Sequence, residues 1–287
     1  MIEAILNYEF LQNAFISGLI IGVIAPLLGV FIVVRRMSLI ADALSHVTLA
    51  GIAGSLYLSQ SFSALILLNP IYLGIVAAVS GSILIERLRR LYKHYEELAI
   101  PIIMSAGIGL TAIFVSLASG FNTDLMSYLF GSVSAVSRQD LWVVVSIAIV
   151  VIIFIFLFFK EMFVLAFDEE YAHASGLPAK WIHFLFMLVV ALVIAASMRI
   201  VGILLVSSLI TLPVAASMRI AKGFKQTIIY SILFGEAAVI IGLISAYYLN
   251  LAPGGTIVVT SIIILLIVIL VKKLLLKTNA KERGAVK

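Results

Sequence analysis

The sequence predicts an all-α, polytopic membrane protein of about nine transmembrane helices. Eight result if one short span near 64–84 or 197–217 merges with a neighbour. Three observations carry this. Of 287 residues, 63% are hydrophobic and only 11% are charged, against about a quarter charged in soluble domains. Uncharged stretches of about 20 residues, long enough to cross a bilayer, recur along the whole chain. Lys and Arg cluster at alternate ends of these stretches, as the positive-inside rule requires. The net charge of +5 fits basic loops and a basic tail better than a nucleic-acid partner. With no cysteine, disulfides, iron–sulfur clusters and thiolate metal sites are excluded.

The first span runs from Phe10 to Val34 and is stopped by Arg35 and Arg36. That basic pair marks a cytoplasmic end, so the N-terminus is expected outside. Met1-Ile2-Glu3-Ala4 lacks a basic leader and does not read as a cleaved signal. The second span covers about Ser38 to Leu58 and the third about Ala64 to Leu84, with Asn69-Pro70 marking a late start or a kink. The charged run from Glu86 to Glu97 reads as a cytoplasmic loop. The fourth span covers Leu98 to Ala118, and 119–124 reads as an external turn. Leu125 to Val136 is apolar but too short to cross, and reads as a re-entrant or interfacial helix broken at Gly131.

The fifth span, Leu141 to Phe159, ends at Lys160 and Glu161. Residues 161–180 then form a cytoplasmic loop holding a short helix closed by Gly176 and Pro178. Trp181 to Ser197 is the sixth span, with Arg199 in a very short external turn. The last three are Ile200–Ser217, Thr227–Tyr248 and Thr256–Val271. A basic tail, 272–287, ends the single transmembrane domain inside the cell.

Asp42 and His46 are the foremost candidates for chemistry. Four residues apart on a helix, they share a face about 6 Å apart along the axis. Ionisable groups at membrane depth are costly and usually face a bundle interior or an aqueous path. A carboxylate and an imidazole suit a divalent metal such as zinc. The competing reading is a helix start near Arg35 and Arg36, with Asp42 in an ion pair. One helix supplies two ligands; two copies about a two-fold axis would supply four. Glu236 in the eighth span and Asp124 at the outer mouth are secondary candidates for the path. His94 and His173 read as loop residues and His183 as a helix-end residue. The sequence holds no G-x-x-x-x-G-K-[ST] run, so the chain does not bind ATP through a P-loop of its own.

The stretch from Leu28 to Ser38, followed by Asp42-Ala43-Leu44-Ser45-His46, resembles the zinc/manganese permeases of binding-protein-dependent ABC importers. Tyr128-Leu129-Phe130-Gly131, Phe167-Asp168-Glu169-Glu170-Tyr171-Ala172 with Gly176, and Val201-Gly202 through Leu212-Pro213-Val214-Ala215-Ala216 are similar to three further segments of that family. The resemblance covers about residues 20–260. It implies a type II importer-like permease in a prokaryotic plasma membrane, surrounded by lipid and working as two copies. A separate ATPase pair would dock near Asp168, Glu169, Glu170, Ala172 and Gly176. An extracellular or periplasmic binding protein would deliver the metal. No cofactor stays bound; the ion, contacted by Asp42 and His46, is cargo. The 123–131 segment and Ile40-Ala41-Asp42 resemble the zinc branch, so zinc is expected, with manganese the alternative. A secondary transporter that works without ATP and a membrane enzyme with a catalytic zinc are the readings from other classes.

Overall fold

The computed structural model describes residues 7–61, 69–92, 94–118 and 123–285. Among them the chain is helical between short links, with no strand. The helices are α1 (Glu9–Val34), α2 (Leu39–Ser61), α3 (Pro70–Leu91), α4 (Ala99–Leu117), α5 (Thr123–Phe130), α6 (Arg138–Phe167), α7 (Glu169–Ala174), α8 (Ala179–Val201), α9 (Ile203–Ile220), α10 (Phe224–Leu249) and α11 (Pro253–Ala285). Eight of these are long and apolar enough to cross a membrane. The ninth expected span is α9, whose 18 residues reach about 27 Å, close to the thickness of a hydrocarbon core.

Burial orders the bundle. Helix α8 is the axle: it is the most deeply buried span and packs against α1, α2, α3, α6 and α9. Helices α1 and α2 come next, while α4 and α11 turn most of their surface outward. Their outward faces carry Ile, Leu and Val, which suits lipid rather than water. Phe31 anchors the packing between α1 and its neighbours, meeting Phe159, Phe186 and Phe224 edge to face.

Several expected boundaries move, for one physical reason: a charge ends a membrane span without ending a helix. Helix α3 begins at Pro70, capped by Asn69, whose side chain accepts from the Ile71 amide at 3.2 Å. It then runs through Glu86, Arg87, Arg89 and Arg90 to Leu91, so the first half of the expected loop is helix. Helix α6 passes Lys160 and Glu161 and continues to Phe167, with a kink at Phe158 (φ −111°, ψ 16°) near the expected membrane exit. The cytoplasmic loop is therefore shorter than 161–180. The basic tail continues α11 as far as Ala285. The first residues of the third expected span, 64–68, and residues 119–122 of the expected outer turn lie outside the described residues.

Arg199 is the clearest correction. It lies in the last turn of α8, not in a turn between spans. Its guanidinium binds the Asp140 carboxylate, the Ala135 carbonyl at 3.0 Å and the Tyr128 hydroxyl at 3.2 Å. Asp140, 2% exposed, also accepts from Asn69 at 3.0 Å and from the Ser137 amide and hydroxyl at 2.9 and 2.6 Å. This outer-side basic residue is thus neutralised inside the fold.

Candidate metal site

The site begins with the turn between α1 and α2. The Arg36 amide donates to the Val33 carbonyl (3.0 Å) and the Met37 amide to that of Ile32 (2.9 Å). That pattern closes a helix on a left-handed residue, here Arg36 at φ 57° rather than the usual glycine. Ser38 follows and α2 starts at Leu39, which puts Asp42 in its first turn, where the helix dipole favours a carboxylate.

Asp42 and His46 are half-buried and continue the stripe opened by exposed Leu39, while Ala43, Leu44 and Ser45 between them and Ala41 before them are buried. By helical rise they stand about 5 and 10 Å from the cytoplasmic start of α2. Ser45 and Thr48 satisfy their hydroxyls on backbone carbonyls of their own helix. The ion-pair alternative for Asp42 is not realised: Arg35 pairs with Glu169 at 3.7 Å. Neither the Asp42 nor the His46 side chain is hydrogen-bonded to another described residue, though Asp42 is near enough for its charge to act on His46. Among the described residues no three His, Asp or Glu side chains gather as a metal cage within one chain.

The pair is held by close helix packing. A Cβ on Gly107 of α4 would lie 2.8 Å from the Val47 nitrogen and 2.9 Å from the His46 carbonyl carbon. Only glycine lets α4 come this near. On the other side Val47 packs onto Gly81 of α3.

Glu236 is not brought to this pair. It lies on α10, which packs on α1, α9 and α11, and its Oε1 is buried against Gly22 without a hydrogen-bond partner. Asp124 opens α5, and its side chain lies outside the described residues, as does that of His173. Helix α7 is built as expected. Asp168 caps it by accepting from the Tyr171 amide at 2.8 Å. Ala172 is buried, and Gly176 (φ +79°) closes the turn. Glu170 and Tyr171 face outward.

The structure also shows polar residues that sequence reasoning passed over. His183 is buried between Arg35 and Arg89, with Glu86 alongside. Burial lowers the pKa of Arg35, and the charge of Glu169 partly restores it. The only sequence signal was an ionisable residue two positions into an apolar run. The Phe130-Gly131 and Val201-Gly202 stretches meet backbone to backbone at the outer end, with both glycines at positive φ. Two segments far apart in sequence thus form one crossing.

The chain belongs to the ABC 3 transport family, whose sequence model matches residues 7–272. It is a multi-pass plasma-membrane permease subunit rather than an enzyme. Its relatives include a Treponema pallidum (strain Nichols) protein named "Probable metal transport system membrane protein", 36% identical over 251 residues, 87% of this chain and 91% of that one. "Manganese transport system membrane protein MntC" of Listeria monocytogenes is 35% identical over 257 residues, 90% and 89% of the two chains. Among solved structures, "PsaBC from Streptococcus pneumoniae in complex with Fab" superposes with a TM-score of 0.80 at 32% identity, covering 93% of each chain.

Proposed function

We propose that the chain is the membrane subunit of an ATP-driven importer of a divalent first-row metal ion, and that Asp42 and His46 contact the ion in transit. The observation that carries this is their shared, half-exposed and otherwise unpartnered face on a membrane helix. The relatives' names favour manganese as cargo. Zinc, expected from the Ile40-Ala41-Asp42 and 123–131 stretches, is the second reading. A carboxylate and an imidazole accept either ion.

Two copies complete the site in this reading, since one chain offers two ligands. The outward face of α4 exposes Ser105, Gly109, Ala112 and Ser116, small residues that let a second helix approach closely. With two Asp and two His the ion is held well enough to enter and, with exchangeable water, loosely enough to leave. ATP binding and hydrolysis on a partner subunit, docked against Asp168, Glu169, Glu170, Ala172 and Gly176, switch access from one side to the other. An outer binding protein delivers the ion. The test is uptake by proteoliposomes holding the chain with its co-purifying partners, offered manganese and zinc in competition. ATP-dependent manganese uptake supports the reading. Uptake that continues without an ATPase replaces it with secondary transport.

A further inference from the structure

At the cytoplasmic end, Arg35, Arg89 and Glu86 converge on one imidazole, and acids from two further elements hold the arginines. His183, on the second turn of α8, is 5% exposed. Arg35, at the end of α1, sets Nη1 2.8 Å from its Nδ1. Arg89, near the end of α3, sets Nη1 2.7 Å from its Nε2. Glu86 places Oε2 3.5 Å from that same Nε2. Each arginine also has an acid of its own. Arg35 reaches Glu169, the first residue of α7, at 3.7 Å. Arg89 reaches Glu96, in the single 3₁₀ turn before α4, at 2.8 Å.

A neutral imidazole has one bare nitrogen, and the other carries a proton. It can accept from Arg35 or from Arg89, but not from both. With Nδ1 bare, Arg35 donates to it, the Nε2–H turns to Glu86, and Arg89 is left to Glu96. With Nε2 bare, Arg89 donates, the Nδ1–H confronts Arg35, and Arg35 is left to Glu169. Every charged group has a partner in both arrangements, because Glu86 is also paired with Arg90 at 3.2 Å. A cavity of about 230 Å³ lined by His183, Arg89, Glu96 and Glu169 gives the Arg89 guanidinium room to move when it is released.

We propose that His183 is a two-position selector between Arg35 and Arg89, and that its choice links the placement of α7 to the start of α2. Arg35 precedes α2 by three residues, one of them the left-handed Arg36. A shift of Arg35 is therefore passed along a short, stiff link to the helix carrying Asp42 and His46. Arg89 acts on the other flank, through Glu96 and α4, which clasps α2 at Gly107. Two discrete hydrogen-bonding states at one residue give the bistable element that coupling requires. The link to transport rests on α7 being the ATPase contact; the selector itself does not.

The two states can be frozen separately. His183→Asn keeps an acceptor oxygen near the Nδ1 position, and His183→Gln keeps one near Nε2. The chain has no cysteine, so Tyr171→Cys and Leu91→Cys, both exposed, carry spin labels on α7 and α3. Distances are read in the complex with its ATPase, with and without ATP. The wild type is expected to show two populations whose weights shift with nucleotide. His183→Asn should keep one and His183→Gln the other. Arg89→Gln should match His183→Asn. Manganese uptake per ATP hydrolysed should fall about tenfold or more in both histidine variants, with melting midpoints within about 3 °C of wild type. Identical distributions in wild type, His183→Asn and His183→Gln would overturn the selector, as would lowered midpoints in both with unchanged distances. If the wild type takes up no metal with ATP, the transport reading fails, and the distances in the same samples still decide the selector.

Discussion

Replacing Arg199 by alanine should destabilise the fold by about 3 kcal/mol. Breaking a buried ion pair by removing one partner costs about 3–5 kcal/mol, because the other charge stays buried. Asp140 would keep three donors, from Asn69 and from the Ser137 amide and hydroxyl, which holds the cost at the low end. Asp140→Ala should cost more, about 4 kcal/mol, since it strips Arg199 and those three donors together. The double variant should fall short of the sum by about 2 kcal/mol, the coupling expected of residues in one network. Thermal unfolding in detergent, followed by the fluorescence of nearby Trp142, reads the change as a fall of roughly 6–12 °C for Arg199→Ala. Single effects below about 1 kcal/mol that add in the double variant would show that this network does not brace the outer end.

Three further outcomes follow from packing. Gly107→Val should force α4 off α2 at His46 and cost about 1–3 kcal/mol, with metal uptake lost in protein that still reaches the membrane; wild-type uptake would refute the clasp. At Gly109 an added Cβ would meet no neighbouring helix within 4 Å, so Gly109→Trp should leave the monomer stable while the proposed dimer, read by cross-linking, is lost. Glu236→Gln keeps the shape of a side chain held away from Asp42 and His46, so uptake should stay within about twofold of wild type. A loss as large as that of His46→Ala would return Glu236 to the path.

Much of this fold is written in runs and charges that need no partner to be read. Apolar length places the spans, and the alternation of Lys and Arg orients them. Asp42 and His46 stand out because four-residue spacing is local and ionisable residues at depth are rare. Three things were not legible. Helix ends were placed too early at Leu84 and Phe159, because a charged residue leaves the membrane but readily stays helical. Arg199 looked like a turn because its partner lies 59 residues away, a separation that no local pattern reports. His183 looked like a bland helix end for the same reason: Arg35 and Arg89 reach it from 148 and 94 residues off. The ligand count was open from the start, because one helix supplies only two side chains.

The most direct measurement is ATP-driven manganese and zinc uptake by the reconstituted complex carrying Asp42→Asn or His46→Gln, beside wild type. Both variants keep size and helix propensity and lose the metal-binding character. The account predicts assembly with the partners and basal ATP hydrolysis as in wild type, with uptake of the preferred ion abolished in each. Uptake at the wild-type rate in either variant would contradict it, and would place the path of the ion elsewhere in the bundle.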